Sequence, residues 1–373
     1  MNQVKITDLF YYINDGTHDT PIYTNVGIPF YSVEDVTSNF NCKTKYISEQ
    51  LSNKLNKRCN PEYGDILLTR IGTIGEVYLI DYTHPSSIYV SLALLKPYKN
   101  IETKYIYTYM KSSLFKKNIY AHSLQNATPV KINTQEIKNL YIPFVGNEST
   151  RNTIVNIMES VDNMIHSLKM NRDKINNMFY GALSKHFCSD KVKPCLVEEI
   201  MMLKKGKQFN GDKLTTDGIY KMYNGGTSYS GLLNDWNIQK NTIIISEGGN
   251  SCGYVNYIRE NFWAGGHCYY AIPNKKYNKK YLYYALKYSQ DKIMKLRVGS
   301  GLPNIQKKSL YKFEIMMSND KDIQDDYQLI FDSFENKINS LDLKIKKYED
   351  IREGLLNGLF TGKIDVPENY EEV

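Results

Sequence analysis

Apolar residues return every three to four positions along two long stretches of the chain. The first carries Ile154, Ile157, Val161, Ile165, Leu168, Ile175 and Met178, and the second Ile330, Phe334, Ile338, Leu341, Ile345, Tyr348 and Ile351. This spacing predicts amphipathic helices with a narrow coiled-coil seam, and these residues are the expected pairing positions. The two stretches are copies: Asn147 to Phe187 lies over Asp320 to Phe360 at a constant offset of 173 residues, so that Ile157, Ile165, Leu168, Met178 and Phe187 fall on Ile330, Ile338, Leu341, Ile351 and Phe360. Neither copy holds a proline. At roughly 38 residues each helix would span on the order of 55 Å, more than an ordinary domain interior needs. The first leaves one β-rich segment and enters the next, and the second leaves that one, so paired helices must run antiparallel about a pseudo-two-fold axis.

Between the helical stretches the pattern changes to short apolar runs closed by glycine turns. Gly64-Asp-Ile-Leu-Leu-Thr-Arg-Ile-Gly72 reads as a buried strand ending in a turn, Glu76 to Ile80 as its hairpin partner, Tyr89 to Leu95 as a further strand and Thr103 to Lys111 as a helix. The order recurs downstream. Gly64 to Thr69 aligns with Asn241 to Ser246, Lys104 to Lys111 with Lys280 to Lys287, and Ile137, Leu140 and Ile142 with Leu310, Phe313 and Ile315. Five segments result: a head over 1–146, a long helix over 147–187, a second head over 188–319, a second long helix over 320–361 and an acidic tail over 362–373. The fold class expected is α+β, two β-rich domains separated by two long antiparallel coiled-coil helices. The loops differ more than the scaffold. Gly16-Thr-His-Asp-Thr-Pro21 shows no counterpart in the second head, which carries instead Asn224-Gly-Gly-Thr-Ser-Tyr-Ser-Gly231 and Glu247-Gly-Gly-Asn-Ser-Cys-Gly253.

Charge sharpens this division. The chain of 373 residues carries a net +7, distributed unevenly: residues 188–319 hold 20 basic against 10 acidic groups, and residues 320–373 hold 7 against 14. A basic head suits a polyanion, whereas an acidic helix is a better protein-docking surface than a DNA surface. No run of eighteen apolar residues and no apolar signal core at the start point to a membrane or to export, and the expected location is the cytoplasm. The six cysteines form no C-x-x-C pair and read as free thiols. His186, Cys188 and Cys195 lie close in sequence without zinc spacing, so no metal is expected.

The order, duplication and spacing of these features, with Gly64 to Gly72 in the first head and Leu355-Leu-Asn-Gly-Leu-Phe-Thr-Gly-Lys-Ile364 closing the second helix, resemble the DNA-specificity subunits of type I restriction-modification systems over essentially the whole chain. The resemblance implies two target recognition domains, each reading one half of a bipartite double-stranded DNA target. It also implies helices on which two methyltransferase subunits and the restriction subunits assemble.

Motifs for catalysis in this chain are incomplete. Asn60-Pro-Glu-Tyr63 resembles the Asn-Pro-Pro-Tyr loop of adenine methyltransferases but lacks the second proline and an upstream glycine-rich cofactor loop. Gly299-Ser-Gly301 has Asn304 where a dinucleotide fingerprint needs glycine. The chain is therefore read as a non-catalytic subunit without a cofactor. The residue types suited to phosphate and base-edge contacts, Lys and Arg with Asn, Gln, Ser, Thr, His and Tyr in loops, give the candidate DNA-binding set. In the first head these are Thr17, His18, Thr20, Thr69, Arg70, Thr73, Asn126, Thr128 and Lys131. In the second they are Lys205, Lys207, Gln208, Asn224, Thr227, Ser228, Tyr229, Asn250, Ser251, Arg297 and Ser300. Two other readings share the fold: a dumbbell adaptor joining proteins through both heads, and a specificity subunit of a related stand-alone methyltransferase complex.

Overall fold

The computed structural model describes residues 2–208, 214–299 and 301–366. The chain divides into two compact units. One comprises the residues up to Leu168 together with those from Lys344 onward, and the other runs from Lys169 to Leu343. Both divisions fall inside a long helix, since Glu148–Phe187 and Lys321–Thr361 are each continuous. Among the described residues no helix is long and apolar enough to cross a membrane.

In the first unit Phe10–Asp15, Leu92–Pro97, Ile66–Thr69 and Val77–Leu79 form a four-stranded antiparallel sheet in that spatial order. A three-stranded sheet sets Ile28–Tyr31 antiparallel to Lys45–Ile47 and parallel to Ser87–Ile88. A two-stranded ribbon joins Asn2–Lys5 to Tyr141–Phe144. The strand Ile66–Thr69 is buried along its whole length, as its unbroken apolar run requires. The strand expected over Tyr89 to Leu95 is instead two shorter pieces, Ser87–Ile88 and Leu92–Pro97, in different sheets, with the backbone turning between them at Tyr89 and Ser91.

The second unit repeats the plan strand for strand. Met201–Lys205, Cys268–Pro273, Thr242–Ser246 and Val255–Ile258 form the four-stranded sheet. Gly231–Leu233, Tyr220–Tyr223 and Phe262–Ala264 form the mixed three-stranded sheet, and Lys193–Leu196 with Glu314–Met317 forms the ribbon. Even the turn conformation is repeated, for Gly64 and its counterpart Asn241 both have positive φ, 88° and 58°. What the first unit adds, among the described residues, is a pair of short helices, Val33–Thr37 and Glu49–Asn56.

Each unit packs its head against segments of both long helices. In the first, Ile154, Val155 and Met158 share one core with Leu356, Leu359 and Phe360, and Arg352 Nε meets Asp162 at 2.5 Å. In the second, Phe179 and Phe187 pack on Phe331 and Arg172 meets Asp342 at 3.5 Å. Partners on the second helix descend in number as those on the first ascend, so the segments run antiparallel within each unit.

The seam departs from the expected set at three places. Met178, Ile330 and Ile351 are 51%, 44% and 39% exposed, while their neighbours Phe179 and Phe331 are buried. Each helix flanks its partner on one side and a head on the other, so the apolar stripe is wider than a coiled-coil seam and centred one residue away. Ile154, Ile165, Leu341 and Ile345 are buried as expected, and Ile157, Val161, Leu168, Ile175, Phe334, Ile338 and Tyr348 are half-buried.

Electrostatics fasten each head to its helices by related means. Lys104 and Lys111, on and just after the helix Thr103–Met110, reach Glu159 and Asp162 at 2.9 and 2.8 Å. In the second unit Lys280, on the helix Lys279–Tyr288, reaches Glu335 at 2.6 Å and Asp332 at 3.8 Å, the positions of Asp162 and Glu159 moved on by the same 173 residues. Lys280 also lies over the rings of Tyr257, Tyr283 and Tyr284 at 4.2, 4.5 and 5.0 Å.

Candidate nucleic-acid interface

Loops leaving one end of the four-stranded sheet converge in each head. In the first, the Gly16 and Thr17 amides donate to the carbonyls of Leu92 and Ile88, Arg70 N to Ser91 O, Gly72 N to Val130 O and Ile132 N to Arg70 O. The segments beginning at Gly16, at Arg70 and at Leu124 are thereby laced together. His18, Thr20, Thr73, Asn126, Thr128 and Lys131 are exposed and Thr17 is half-buried.

The second head laces its loops with the same backbone bonds. Gly206 and Lys207 amides donate to Cys268 and Ala264 carbonyls, Glu247 N to His267 O, Gly249 N to Pro303 O and Ile305 N to Glu247 O. This pattern overturns one expectation: the Gly16 loop does have a counterpart, Gly206-Lys207-Gln208. A Cβ at Gly16 would lie 2.1 Å from the Ile88 carbonyl oxygen, and one at Gly206 would lie 2.2 Å from that of Gly265. Glycine is required at both places because the turn passes directly over a neighbouring backbone. The two turns share a single glycine, so the sequence pattern alone does not reveal their equivalence.

Around this turn the second head gathers Lys205, Lys207, Gln208 and the Asn224 loop. Asn224 Oδ1 accepts from His267 N at 3.1 Å, Ser246 Oγ donates to Gly226 O at 2.9 Å, and Asn256 Nδ2 donates to Thr227 O at 3.2 Å. A cleft of about 400 Å³ opens between Asn224, Gly225, Gly248, Gly249, His267 and the Leu302 to Asn304 segment. Thr227, Ser228, Tyr229, Asn250 and Arg297 are exposed and Ser251 is half-buried. Lys221 Nζ sits 5.6 Å from the centre of the Tyr229 ring. Ser300 lies outside the described residues.

Two candidates of the first head serve the fold instead. Thr69 is fully buried, its Oγ1 accepting from Glu76 N at 2.9 Å. Arg70 is 6% exposed. Its guanidinium donates to Asp15 at 2.8 Å and to the carbonyls of Ile132 and Val90 at 3.1 and 2.9 Å, and burial lowers its pKa against the opposing pull of Asp15. Both sit at the strand end before the turn, where burial is still complete. Arg70 therefore ties the loops together and leaves little surface for a ligand.

Arg58 lies outside the candidate set, yet its Nη2 donates to Asp15 Oδ1 at 2.7 Å and to Asn14 Oδ1 at 3.3 Å while half its side chain stays exposed. It lines a small cleft with Gly16, Thr17 and Lys54. The available signal was the basic run Lys54, Lys57, Arg58 at the end of a short helix. Asp15 also accepts from or pairs with His18 Nε2 at 3.0 Å, making one carboxylate the hub of three basic groups. In the second head Glu247 meets Lys205 Nζ at 2.7 Å, Tyr269 Oη at 3.0 Å and His267 Nδ1 at 4.0 Å.

The other motifs are structural in their surroundings. Asn60-Pro61-Glu62-Tyr63 lies in a turn where Lys96 Nζ holds Glu62 and Asp65, each at 2.6 Å. His186 is buried, stacked on Tyr327 and hydrogen-bonded to Tyr281 Oη at 2.7 Å. Among the described residues no group of three or more His, Cys, Asp or Glu side chains is placed to hold a metal ion.

The family model described as "Type I restriction modification DNA specificity domain" matches residues 1–177 and 190–349. A protein of Mycoplasma genitalium whose name places it among type I specificity subunits is 30% identical over 167 residues, 44% of this chain and 43% of that protein. A similarly named protein of Mycoplasma pneumoniae is 34% identical over 163 residues, 43% of each. The chain thus spans less than half the length of these curated relatives. The crystal structure of a type I restriction-modification S subunit from M. genitalium is similar in fold, with a TM-score of 0.65 at 20% identity over 98% of this chain and 96% of that one. A chain from a structure of type I system assembly and conformational transition gives 0.57 at 12% identity over 97% and 98%.

Proposed function

The chain belongs to the type I restriction-modification DNA specificity family, and from that premise we propose that it is the sequence-reading subunit of such a complex. Each head reads one half of a bipartite duplex target through its laced loop cluster. The long helices set the unread spacer and dock two methyltransferase subunits, to which restriction subunits add. Adenine methylation and cleavage belong to those partners, and no cofactor is assigned to this chain.

The observation that carries the reading is the duplicated scaffold with unlike loops. Two sheets of identical strand order present their loops from the same end through the same backbone bonds. The side chains offered differ: Thr17, His18, Asn126, Thr128 and Lys131 in one head, and Lys205, Lys207, Gln208, Asn224 and Arg297 in the other. Loops on a fixed frame are free to change without unfolding it, which a protein with two different half-sites needs. Lysine and arginine neutralise phosphates and set the register, while amide and hydroxyl side chains suit base edges.

The experiment is an affinity titration of the full chain, assembled with methyltransferase subunits, against duplex DNA at several salt concentrations. Counterion release makes log affinity fall linearly with log salt, with a slope of about 0.9 per neutralised phosphate. A protein-joining adaptor would show no such slope on duplex DNA. The chain alone should leave DNA unmethylated, and adding the methyltransferase subunits should methylate both half-sites.

A further inference from the structure

The ion pairs Asp15–Arg70 and Lys205–Glu247 occupy equivalent places with their polarity reversed. Asp15 and Lys205 are the last residues of matching strands, for each stands one step before the glycine that turns over the neighbouring backbone. Arg70 and Glu247 also match, since each donates its amide to the residue before the central strand and accepts from the equivalent isoleucine, Ile132 or Ile305. One head therefore has a carboxylate on the first strand and a cation on the second, and the other has the opposite.

The exchange changes which cation reaches solvent. In the second head Lys205 stands at the mouth with its side chain 55% exposed, held by Glu247, which is 16% exposed. In the first head the matching cation, Arg70, is buried, and the exposed one is supplied by the added helix Glu49–Asn56, at whose end Arg58 reaches Asp15 with its side chain 54% exposed. Among the described residues, both heads thus finish with an exposed Arg or Lys bound to a shielded carboxylate beside the glycine turn, with a histidine, His18 or His267, near the same carboxylate. Long cationic side chains lose much rotamer freedom when they meet a ligand. A carboxylate that holds the side chain beforehand removes part of that cost and fixes its direction.

Resting on the DNA-reading function, we propose that Glu247 and Asp15 are positioning residues, each aiming one DNA-contacting cation at a base of its own half-site, Lys205 in the second head and Arg58 in the first. The competing account is a remote negative charge that merely weakens attraction to phosphate. The two accounts predict opposite signs. Removing a remote negative charge strengthens binding to every duplex equally, whereas removing an aiming group weakens only the correct one.

The test uses the full chain with its methyltransferase subunits and duplexes of equal length, one carrying the target sequence, one with the second half-site scrambled and, for the first-head variants, one with the first half-site scrambled. Glu247→Gln should lower affinity for the target about tenfold, the size expected for one lost base contact, and leave the duplex with the second half-site scrambled unchanged or bound more tightly. Lys205→Met should produce a similar loss, and the double variant no further loss. In the first head Arg58→Ala should weaken recognition of the first half-site alone, and Arg58→Lys should not fully restore it. Equal tightening on target and scrambled duplexes, or no change on either, overturns the proposal. If the unaltered complex fails to distinguish target from scrambled duplexes, the DNA-reading function itself is wrong. An unchanged melting temperature of Glu247→Gln separates lost aim from lost folding.

Discussion

At the mouth of the first head, Asp15 ends one strand and Arg70 follows the next; at the mouth of the second, Lys205 stands in the place of Asp15 and Glu247 in the place of Arg70. In the first pair both side chains are 7% exposed, and in the second they are 55% and 16% exposed. The frame thus carries an ion pair between the ends of these two strands in both heads, in opposite order. The difference lies in the surroundings. Arg70 is enclosed because two backbone carbonyls and Asp15 take its donors, whereas Lys205 keeps most of its length in water.

The largest predicted contrast follows from this burial. Asp15→Ala leaves Arg70 charged and enclosed without its carboxylate, a change that typically costs about 3–5 kcal/mol. Glu247→Gln keeps an acceptor for Tyr269 Oη and breaks only a pair whose cation is already solvated, and should cost no more than about 1 kcal/mol. Urea unfolding of the two variants measures both. Equal losses would mean that the pairs are energetically alike and that the structural contrast has no consequence.

A second contrast runs through the long helices. His186 in one unit corresponds, at the 173-residue offset, to Leu359 in the other, and each is 1% exposed. Burial, with a smaller contribution from Lys191, lowers the His186 pKa to about 4, and its Nδ1 has no hydrogen-bond partner among the described residues. The folded state therefore holds the neutral ring, and the unfolded state binds a proton more readily below about pH 6.5. Stability due to the neutral ring is present above that pH and is lost as pH falls toward 4, by an amount on the order of 3 kcal/mol. Amide exchange should show residues 169–343 loosening in acid before the other unit, and His186→Leu should remove that difference. Simultaneous loosening of both units at the same pH would contradict the assignment.

The repeat explains what was readable in the sequence. Continuous helices and buried central strands rest on long or dense apolar patterns, and Ile154, Ile165, Leu341 and Ile66 to Leu68 declare themselves by spacing alone. Met178, Ile330 and Ile351 misled because they sit one position beside Phe179, Phe331 and Arg352, and period alone does not show that a helix is contacted on two sides. The Gly206 turn was hidden because its equivalence to Gly16 resides in backbone hydrogen bonds, with a single glycine in common. Thr69 and Arg70 were the right residue types at the right strand end, one turn too early to reach solvent. Arg58 and Glu247 were invisible as a class, since their relation to Asp15 and Lys205 spans 43 and 42 positions.

The central claim is that the heads are independent readers on a common frame. Exchange of residues 190–317 for the matching head of a relative with a different target, followed by mapping of methylated sites in cells that also express the methyltransferase subunits, tests it directly. The account predicts a hybrid target in which the half read by the first head and the spacer are retained and only the other half changes. A new sequence in both halves, or retention of the original target in full, would contradict it.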